Sequence, residues 1–541
     1  MFKVLVSDPL AKEGIARLKA EAQNGAGLEV EVKTGLSKEE LLRIIPEYDG
    51  LIVRSETKVT AEVIQAATRL KVVARAGVGV DNIDVPAATE RGVIVVNTPN
   101  GNTIAACEQA FLLLLATARK LTQAHNTLQG GKWERKQFMG VELADKTLGI
   151  VGLGRIGTEI ARRAQAFGMK VIANDPFVLP AYAEKLGIEM VALTEIYRQS
   201  DFITVHSPLL PETRHMIGKA AFEQMKTGVR IINAARGGII QEDDLLEALN
   251  SGKVAAAGLD VFEKEPPKLD APLLQHSNVV ITPHLGASTE EAQIKVAVDA
   301  ADSVVAALNG ELVPNAVNLP GLSREALTEL KPYLVLSEKL GRLATALSDG
   351  PVVKVEILCQ GQALPNHTKL LGMAALQGLL QGTSSETVNL VNAQSLARQR
   401  GLEVVETATK EEGQFSGLTV SVRVQSQGGS SDAATGLRTF DGTLVNGEPR
   451  IVRINGYPVE VAPVGYLLIS RHIDMPGIIG NVGIKLGNYG INIASMEVGR
   501  KQRGGEAVMI VSVDDLVPPE IIQELSKIPG VENLRFVSLG D

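Results

Sequence analysis

Three glycines, Gly152, Gly154 and Gly157, stand in the segment GLGRIG, directly after the apolar run 147–151 and at the start of an apolar-periodic stretch, 156–167. Glycines at this spacing let a tight turn bring backbone close to a pyrophosphate at the positive end of a helix. Asp175 follows at the end of the next strand-like run, 170–174. A carboxylate there can accept hydrogen bonds from both hydroxyls of an adenosine ribose and would repel a 2′-phosphate, which favours NAD over NADP. A lone glycine turn could equally serve packing, with Asp175 as a solvated cap. The strand before it, the helix after it and the acid behind it together point to a dinucleotide.

A second constellation is Arg236, Glu265 and His284, in INAARGG, LDVFEKEPP and ITPHLG. Each follows a strand-like run: 229–233, 255–260 and 279–282. Ligands of open α/β sheets bind outside the carboxyl ends of strands, so three strands would deliver three groups to one crevice. Removing hydride from an alcohol requires a base for the hydroxyl proton, and His284 suits that task. It also requires a cation for a neighbouring carboxylate, and the planar fork of Arg236 matches one. Glu265 would bond the far imidazole nitrogen and fix its tautomer. Taken singly, these are a capping arginine, a solvated glutamate and a packed histidine; the order after the glycine turn makes the set. His206, before Ser207 and Pro208 at the end of run 201–205, would line the nicotinamide crevice.

Elements able to position these groups are legible around them. Runs 2–7, 49–53, 71–74 and 93–97 alternate with helical stretches 11–22 and 61–68 and a helix beginning at 37, and a long helix spans 103–121. The pattern then restarts with the runs named above and a helix over 242–250. Strands separated by helices predict parallel sheets with helices on both faces. The fold class is therefore α/β: a Rossmann-type doubly wound domain, inserted in a flavodoxin-like one. Expected boundaries are 1–98 and 287–318 for the outer domain and 99–286 for the inner. Residues 319–462 read as an α+β intervening domain, with helices over 330–347 and 387–399 and a strand over 352–358. Asn446-Gly447 and Asn455-Gly456 mark two-residue turns, and 427–431 (QGGSS) a loop. Residues 463–541 show strand, helix, strand, strand, helix, strand, the ferredoxin-like order.

Composition excludes several classes. The chain has 541 residues and a net charge of −8, which argues against nucleic acid and anionic membranes as partners. Its two cysteines, Cys107 and Cys359, make neither a disulfide framework nor a cysteine zinc site, and no histidine spacing suggests a metal. A strand-like run at the start, with no basic leader before it, makes a cytoplasmic protein the expectation.

GLGRIG, INAARGG, LDVFEKEPP and ITPHLG, in this order, resemble the D-2-hydroxyacid dehydrogenase family. RAGVGVDNID (75–84) and NTPNGNT (97–103) resemble its 3-phosphoglycerate-oxidising branch, in the long form with an added middle domain and a terminal ACT domain. The resemblance implies NAD as cofactor, held by Val78, Arg155, Ile156, His206, Ser207, Pro208 and Thr213 besides the glycine turn and Asp175. It adds Ala234, Ala235, Arg236, Asp260, His284, Gly286 and Ala287 on the nicotinamide side. It implies D-3-phosphoglycerate as substrate, with Arg54 and Arg75 near the phosphate and Ser55, Gly77 and Asn102 beside them. Arg135 would reach the site from a neighbouring subunit of a homo-oligomer, a dimer or tetramer. His472, Asp474 and Asn492 match ACT positions that hold L-serine, although Asp474 stands where asparagine is also found. Arg450 and Arg453 of the middle domain are candidates for a second anion. Two alternatives remain on the same fold: another D-2-hydroxyacid dehydrogenase, such as a glyoxylate, hydroxypyruvate or 2-oxoglutarate reductase, and a non-catalytic NAD-sensing corepressor.

Overall fold

The computed structural model describes residues 1–23, 27–361, 364–384, 387–411, 417–424 and 437–540. Its first sheet holds β1 (Phe2–Val6), β2 (Leu28–Val32), β3 (Gly50–Val53), β4 (Val72–Arg75) and β5 (Ile94–Val96). All pairs are parallel, in the order β2-β1-β3-β4-β5. This is the flavodoxin-like order. β3 is buried at every position, as befits a parallel strand covered on both faces. The helix Glu290–Leu308 returns from far along the chain and packs Val296, Ala300, Ala301 and Val304 into this core. Val317 N then donates to Val95 O at 2.7 Å.

The second sheet contains β6 (Thr147–Val151), β7 (Lys170–Asn174), β8 (Glu189–Met190), β9 (Phe202–Val205), β10 (Val229–Asn233), β11 (Val254–Leu259) and β12 (Val279–Ile281). Every pairing is parallel, in the order β8-β7-β6-β9-β10-β11-β12. The winding reverses between β6 and β9, and that switch point opens a crevice at the carboxyl ends. The single helix expected over 103–121 is two helices, Thr103–Arg119 and Leu121–Gln129. Lys120 between them takes a left-handed conformation, φ 52°, which no helix continues through.

The third sheet is mixed: β13 (Val352–Gln360), β14 (Glu403–Thr409), β15 (Gly417–Val424), β16 (Leu437–Val445), β17 (Glu448–Ile454) and β18 (Tyr457–Val461), ordered β14-β13-β15-β16-β17-β18. Both Asn-Gly turns form, with positive φ at Asn446, Gly447, Asn455 and Gly456. The helix expected over 387–399 begins only at Ala393. Ahead of it, Asn389 Oδ1 accepts from Val391 N at 3.0 Å and Asn392 Nδ2 donates to Thr387 O at 2.9 Å. These bonds offer the backbone an alternative to the helix. The expected loop 427–431 lies outside the described residues.

The last sheet is antiparallel, β20-β21-β19-β22, from β19 (Gly465–Ile473), β20 (Ile493–Arg500), β21 (Glu506–Val513) and β22 (Val531–Gly540), with helices Ile478–Asn488 and Pro519–Ser526. One face of the sheet packs Leu468, Met509 and Val511 against Ile478, Val482, Leu486 and Leu525 of its two helices in a core of its own, while the other face packs outward. Leu467, Ile469, Val508, Ile510, Val537 and Leu539 join one apolar cluster with Leu336, Leu340, Ile451 and Ile454 of the middle domain. The buried Lys339 Nζ donates to Leu539 O across the same boundary. No helix among the described residues is long and apolar enough to cross a membrane, and no group of metal-binding side chains is assembled there.

Candidate active site

Local bonding around the 282–286 loop decides where His284 points. Asp260 directly follows β11 and has no exposed surface. Its Oδ1 accepts from Thr282 Oγ1 at 2.6 Å and Leu285 N at 2.8 Å, and its Oδ2 from Gly286 N at 2.8 Å. Gln109, from the helix Thr103–Arg119, adds a bond to Thr282 Oγ1 at 2.9 Å. So anchored, the loop holds His284 at φ 55°, an uncommon conformation for a residue with a Cβ. Asp260 was expected on the cofactor side. Its carboxylate is sealed beneath the loop, where Thr282, Leu285, Gly286 and, at 3.4 Å, Gln109 all donate to it.

His284 Nδ1 lies 2.8 Å from Glu265 Oε2, while Glu265 Oε1 accepts from Phe262 N at 3.1 Å. Burial pushes the Glu265 carboxyl up. The His284 bond and charge, the Phe262 N–H and Arg236 outweigh that and hold it below the ordinary carboxylate range. An ionised carboxylate only accepts, so Nδ1 is the ring nitrogen that donates, and in the neutral tautomer Nε2 is the one with a lone pair for a proton.

Arg236 stands in the turn after β10. The buried Asn233 shapes that turn, donating to Arg236 O at 2.9 Å and accepting from Ala235 N at 3.1 Å. Across the cleft, Arg75 ends β4 and donates through Nε to Asn82 Oδ1 at 3.1 Å and to Arg54 O at 3.3 Å. Burial first, then Arg236 and Arg54 nearby, press the Arg75 guanidinium down to about 10. Arg54 Nε and Asn102 Oδ1 are buried without a hydrogen-bond partner among the described residues. Partly buried cations facing one another, with an unused donor between them, suit an anion. Gly77 borders the Arg75 guanidinium, and Ser55 is exposed beside Arg54.

The dinucleotide turn takes the form the motif requires. Gly152 has φ 96°, and a Cβ on it would stand 2.7 Å from His206 O. A Cβ on Gly157 would meet Gly152 O at 2.2 Å, whereas Gly154, ahead of the helix Arg155–Ala166, faces open space. That gap at a helix N-terminus is where a diphosphate would approach. Arg155 and Ile156 open the helix. Asp175 Oδ2 accepts from Leu153 N and Oδ1 from Phe177 N, both at 2.8 Å, so it also braces the turn. Burial pushes the His206 imidazole down to about 3, and its Nε2 pairs with Thr204 Oγ1 at 2.9 Å. Ser207 Oγ donates to Val151 O at 3.3 Å and Thr213 Oγ1 to Pro208 O at 2.7 Å, shaping the facing wall. Val78 O accepts from Asn97, and Ala287 O from Gln293.

Arg135 is not brought to this cleft. It sits on the exposed turn Arg135–Phe138, between exposed Trp133 and Met139. The effector candidates are also divided. β19 and β20 both pair with β21, which puts His472 opposite Ala507, and Ile493, the residue after Asn492, opposite Val513. His472 and Asp474 therefore lie at one end of the sheet and Asn492 at the other, which rules out one pocket within a single chain. Asp474 is paired with Arg500 at 2.7 Å, and Asn492 donates to Asp514 at 2.6 Å. Arg453 faces Asp441 at 3.3 Å, and Arg450 Nη1 donates to Pro449 O at 2.8 Å.

Known proteins share this order of domains. Residues 111–286 match the D-isomer specific 2-hydroxyacid dehydrogenase NAD binding domain, 329–455 the D-3-phosphoglycerate dehydrogenase intervening domain and 465–530 the ACT domain. A D-3-phosphoglycerate dehydrogenase of Methanocaldococcus jannaschii is 46% identical over 100% of both chains. The chain belongs to the D-3-phosphoglycerate dehydrogenase family. Another member of the family, from Bacillus subtilis, is 42% identical over 100% of both chains. Among solved structures, a glyoxylate reductase from Paecilomyes thermophila matches 58% of this chain and 98% of its own, with a TM-score of 0.54 and 32% identity. The D-lactate dehydrogenase of Escherichia coli matches 58% and 99%, with a TM-score of 0.52 and 29% identity. The family's chemistry is NAD-linked oxidation and reduction at a 2-hydroxy acid.

Sequence reasoning passed over Asp81, Asn82, Asn233 and Gln109. Asp81 and Asn82 lie inside a segment already singled out, RAGVGVDNID, but Asp81 meets Arg236 from far along the chain, and Asn82 bonds Arg54 and Thr57 as well as Arg75 within the segment.

Proposed function

We propose that the protein oxidises D-3-phosphoglycerate to 3-phosphohydroxypyruvate with NAD, the entry step to phosphorylated serine synthesis, as a cytoplasmic homo-oligomer. The observation that carries this reading is the convergence of the His284–Glu265 pair with Arg236, Arg75 and Arg54 at one cleft. NAD, when bound, supplies the hydride acceptor. Gly152, Gly154 and Gly157 would hold its pyrophosphate and Asp175 its adenosine ribose, and the loops carrying Ser207, Ala234 and Gly286 would border its nicotinamide. Arg236 holds the substrate carboxylate and draws electron density from C2. His284 Nε2 takes the hydroxyl proton as the C2–H bond breaks, and Glu265 stabilises the imidazolium that forms. Arg54 and Arg75 receive the phosphate dianion, whose charge relieves their crowding. Arg135 would complete the site from a second subunit.

The ACT unit is read as a regulatory module for L-serine. Because His472 and Asn492 are separated within one chain, serine would sit between two chains, taking His472 and Asp474 from one and Asn492 from the other. Steady-state NADH formation with D-3-phosphoglycerate, set against D-lactate, D-glycerate and 2-hydroxyglutarate, tests the central proposal. Equal efficiency on unphosphorylated acids would overturn the substrate assignment.

A further inference from the structure

The cleft is bridged by one ion pair that the reaction above does not use. Arg236, on the nucleotide domain, donates through Nε to Asp81 Oδ2 of the substrate domain at 3.1 Å. Its Nη1 donates to Ala235 O at 2.7 Å. Its Nη2 lies against Gly79, where an added Cβ would fall 1.8 Å away. Only a residue without a side chain admits the guanidinium there. Arg236 is 28% exposed and Asp81 66%, so the arginine is the enclosed member and the aspartate reaches in from the solvent side.

We propose that Asp81 is a positioning residue for the carboxylate-binding arginine: it fixes the plane of the Arg236 guanidinium from across the interdomain cleft. An arginine side chain has several rotatable bonds, and ordering one on binding subtracts from affinity. With Nε and Nη1 held and Gly79 making room for Nη2, that ordering precedes substrate. Nη2 has no hydrogen-bond partner among the described residues and is left to meet the incoming carboxylate. The two partners belong to different domains, so the bond forms only when the cleft is narrow. Asp81 thereby ties the aim of Arg236 to closure. A carboxylate this exposed is replaced by water when the domains part, so the bond does not lock them. The inference rests on Arg236 being the carboxylate anchor.

The test compares the parent with Asp81→Asn, Asp81→Glu, Arg236→Lys and the double variant Asp81→Asn/Arg236→Lys. One readout is steady-state oxidation of D-3-phosphoglycerate. The other is the Kd of oxamate, a small unreactive carboxylate, in the presence of NADH. Asp81→Asn should raise KM and the oxamate Kd on the order of tenfold, the effect of losing one charge-assisted bond. NADH affinity should stay within about twofold and kcat should change less than KM. Asp81→Glu should recover part of the loss, and the double variant should be little worse than Arg236→Lys alone, because both act on one group. Additive losses, an unchanged oxamate Kd, or tighter binding in Asp81→Asn would overturn the proposal, the last by making Asp81 a competitor of substrate. Oxamate failing to bind the parent would also overturn it. A parent that oxidises no 3-phosphoglycerate yet shows the oxamate coupling would refute the assigned substrate and leave the role of Asp81 standing.

Discussion

Replacing Asp260 with asparagine changes one atom in a fully buried carboxylate and should disable the loop that carries His284. Oδ1 accepts from Thr282 Oγ1 and Leu285 N, and Oδ2 from Gly286 N. An amide keeps only one acceptor oxygen. If that oxygen stays toward Thr282 and Leu285, the new NH2 faces the Gly286 N–H, donor against donor. Leaving one buried N–H unsatisfied costs about 1–3 kcal/mol. That converts to roughly a 5- to 150-fold larger population of opened loop. The left-handed backbone of His284 favours opening further, because the anchor no longer offsets it. Hydrogen exchange at the Leu285 and Gly286 amides should therefore accelerate by that factor in Asp260→Asn. Exchange on β6, in the same sheet, should be unaltered. Turnover should fall in parallel, with NADH affinity little changed. Unchanged exchange at both amides, with any loss of turnover traced to weaker cofactor binding, would refute the anchoring argument and return Asp260 to the cofactor.

His284→Gln should lower kcat by roughly a hundredfold or more, the scale of general-base catalysis, and leave NADH affinity intact; parent-like turnover would remove His284 from the reaction. Asp175→Ala should lose the preference for NAD over NADP and, because Leu153 N and Phe177 N lose their acceptor, should also weaken both cofactors; an unchanged ratio of efficiencies would clear Asp175 of ribose contact. Arg75→Ala should raise KM for D-3-phosphoglycerate far more than for D-glycerate, and equal losses would make the arginine structural. Glu265 has a folded pKa below its unfolded one, so its contribution to holding His284 is present above the unfolded value and lost as pH falls through the folded one. Glu265→Gln should flatten the acid limb of the kcat profile at low pH, and an unaltered limb would detach Glu265 from it. Millimolar L-serine should reduce turnover, and Asn492→Ala should abolish the reduction without altering uninhibited activity; calorimetry showing no serine heat would refute both.

What could be read from the chain alone follows the range of the forces involved. GLGRIG is a strand–turn–helix whose constraints lie within a few residues of each glycine, so motif and geometry coincide. Arg236, Glu265 and His284 were placed because strand ends were legible and parallel sheets gather them. The helix Thr368–Gln381 carries no amphipathic period, since Leu370, Leu371, Ala374, Ala375 and Leu379 are buried on more than one side, and it left no signal. Residues 387–392 read as helix because propensity does not register asparagine side chains bonding nearby backbone. Asp81 and Arg236 are 155 residues apart, and nothing local to either announces the other. The effector residues match ACT positions in sequence but do not share a location in one chain, because the pairing of β19 and β20 with β21 puts the start of β20 at the far end of the sheet from His472.

The apolar cluster common to the middle sheet and the last sheet limits where this chain can be cut. Removing everything after about residue 462 would strip Leu467, Ile469, Val508, Ile510, Val537 and Leu539 from their neighbours and leave Leu336, Leu340 and Ile454 facing water. Lys339 would lose the carbonyl that receives its buried ammonium. A terminal module in separate packing could be shed or exchanged like a bead on a string. This one is interdigitated with the domain before it, so a shortened protein should be sticky and prone to proteolysis rather than merely unregulated. Grafting a foreign sensor here would need a break near residue 320, carrying both sheets across as one piece.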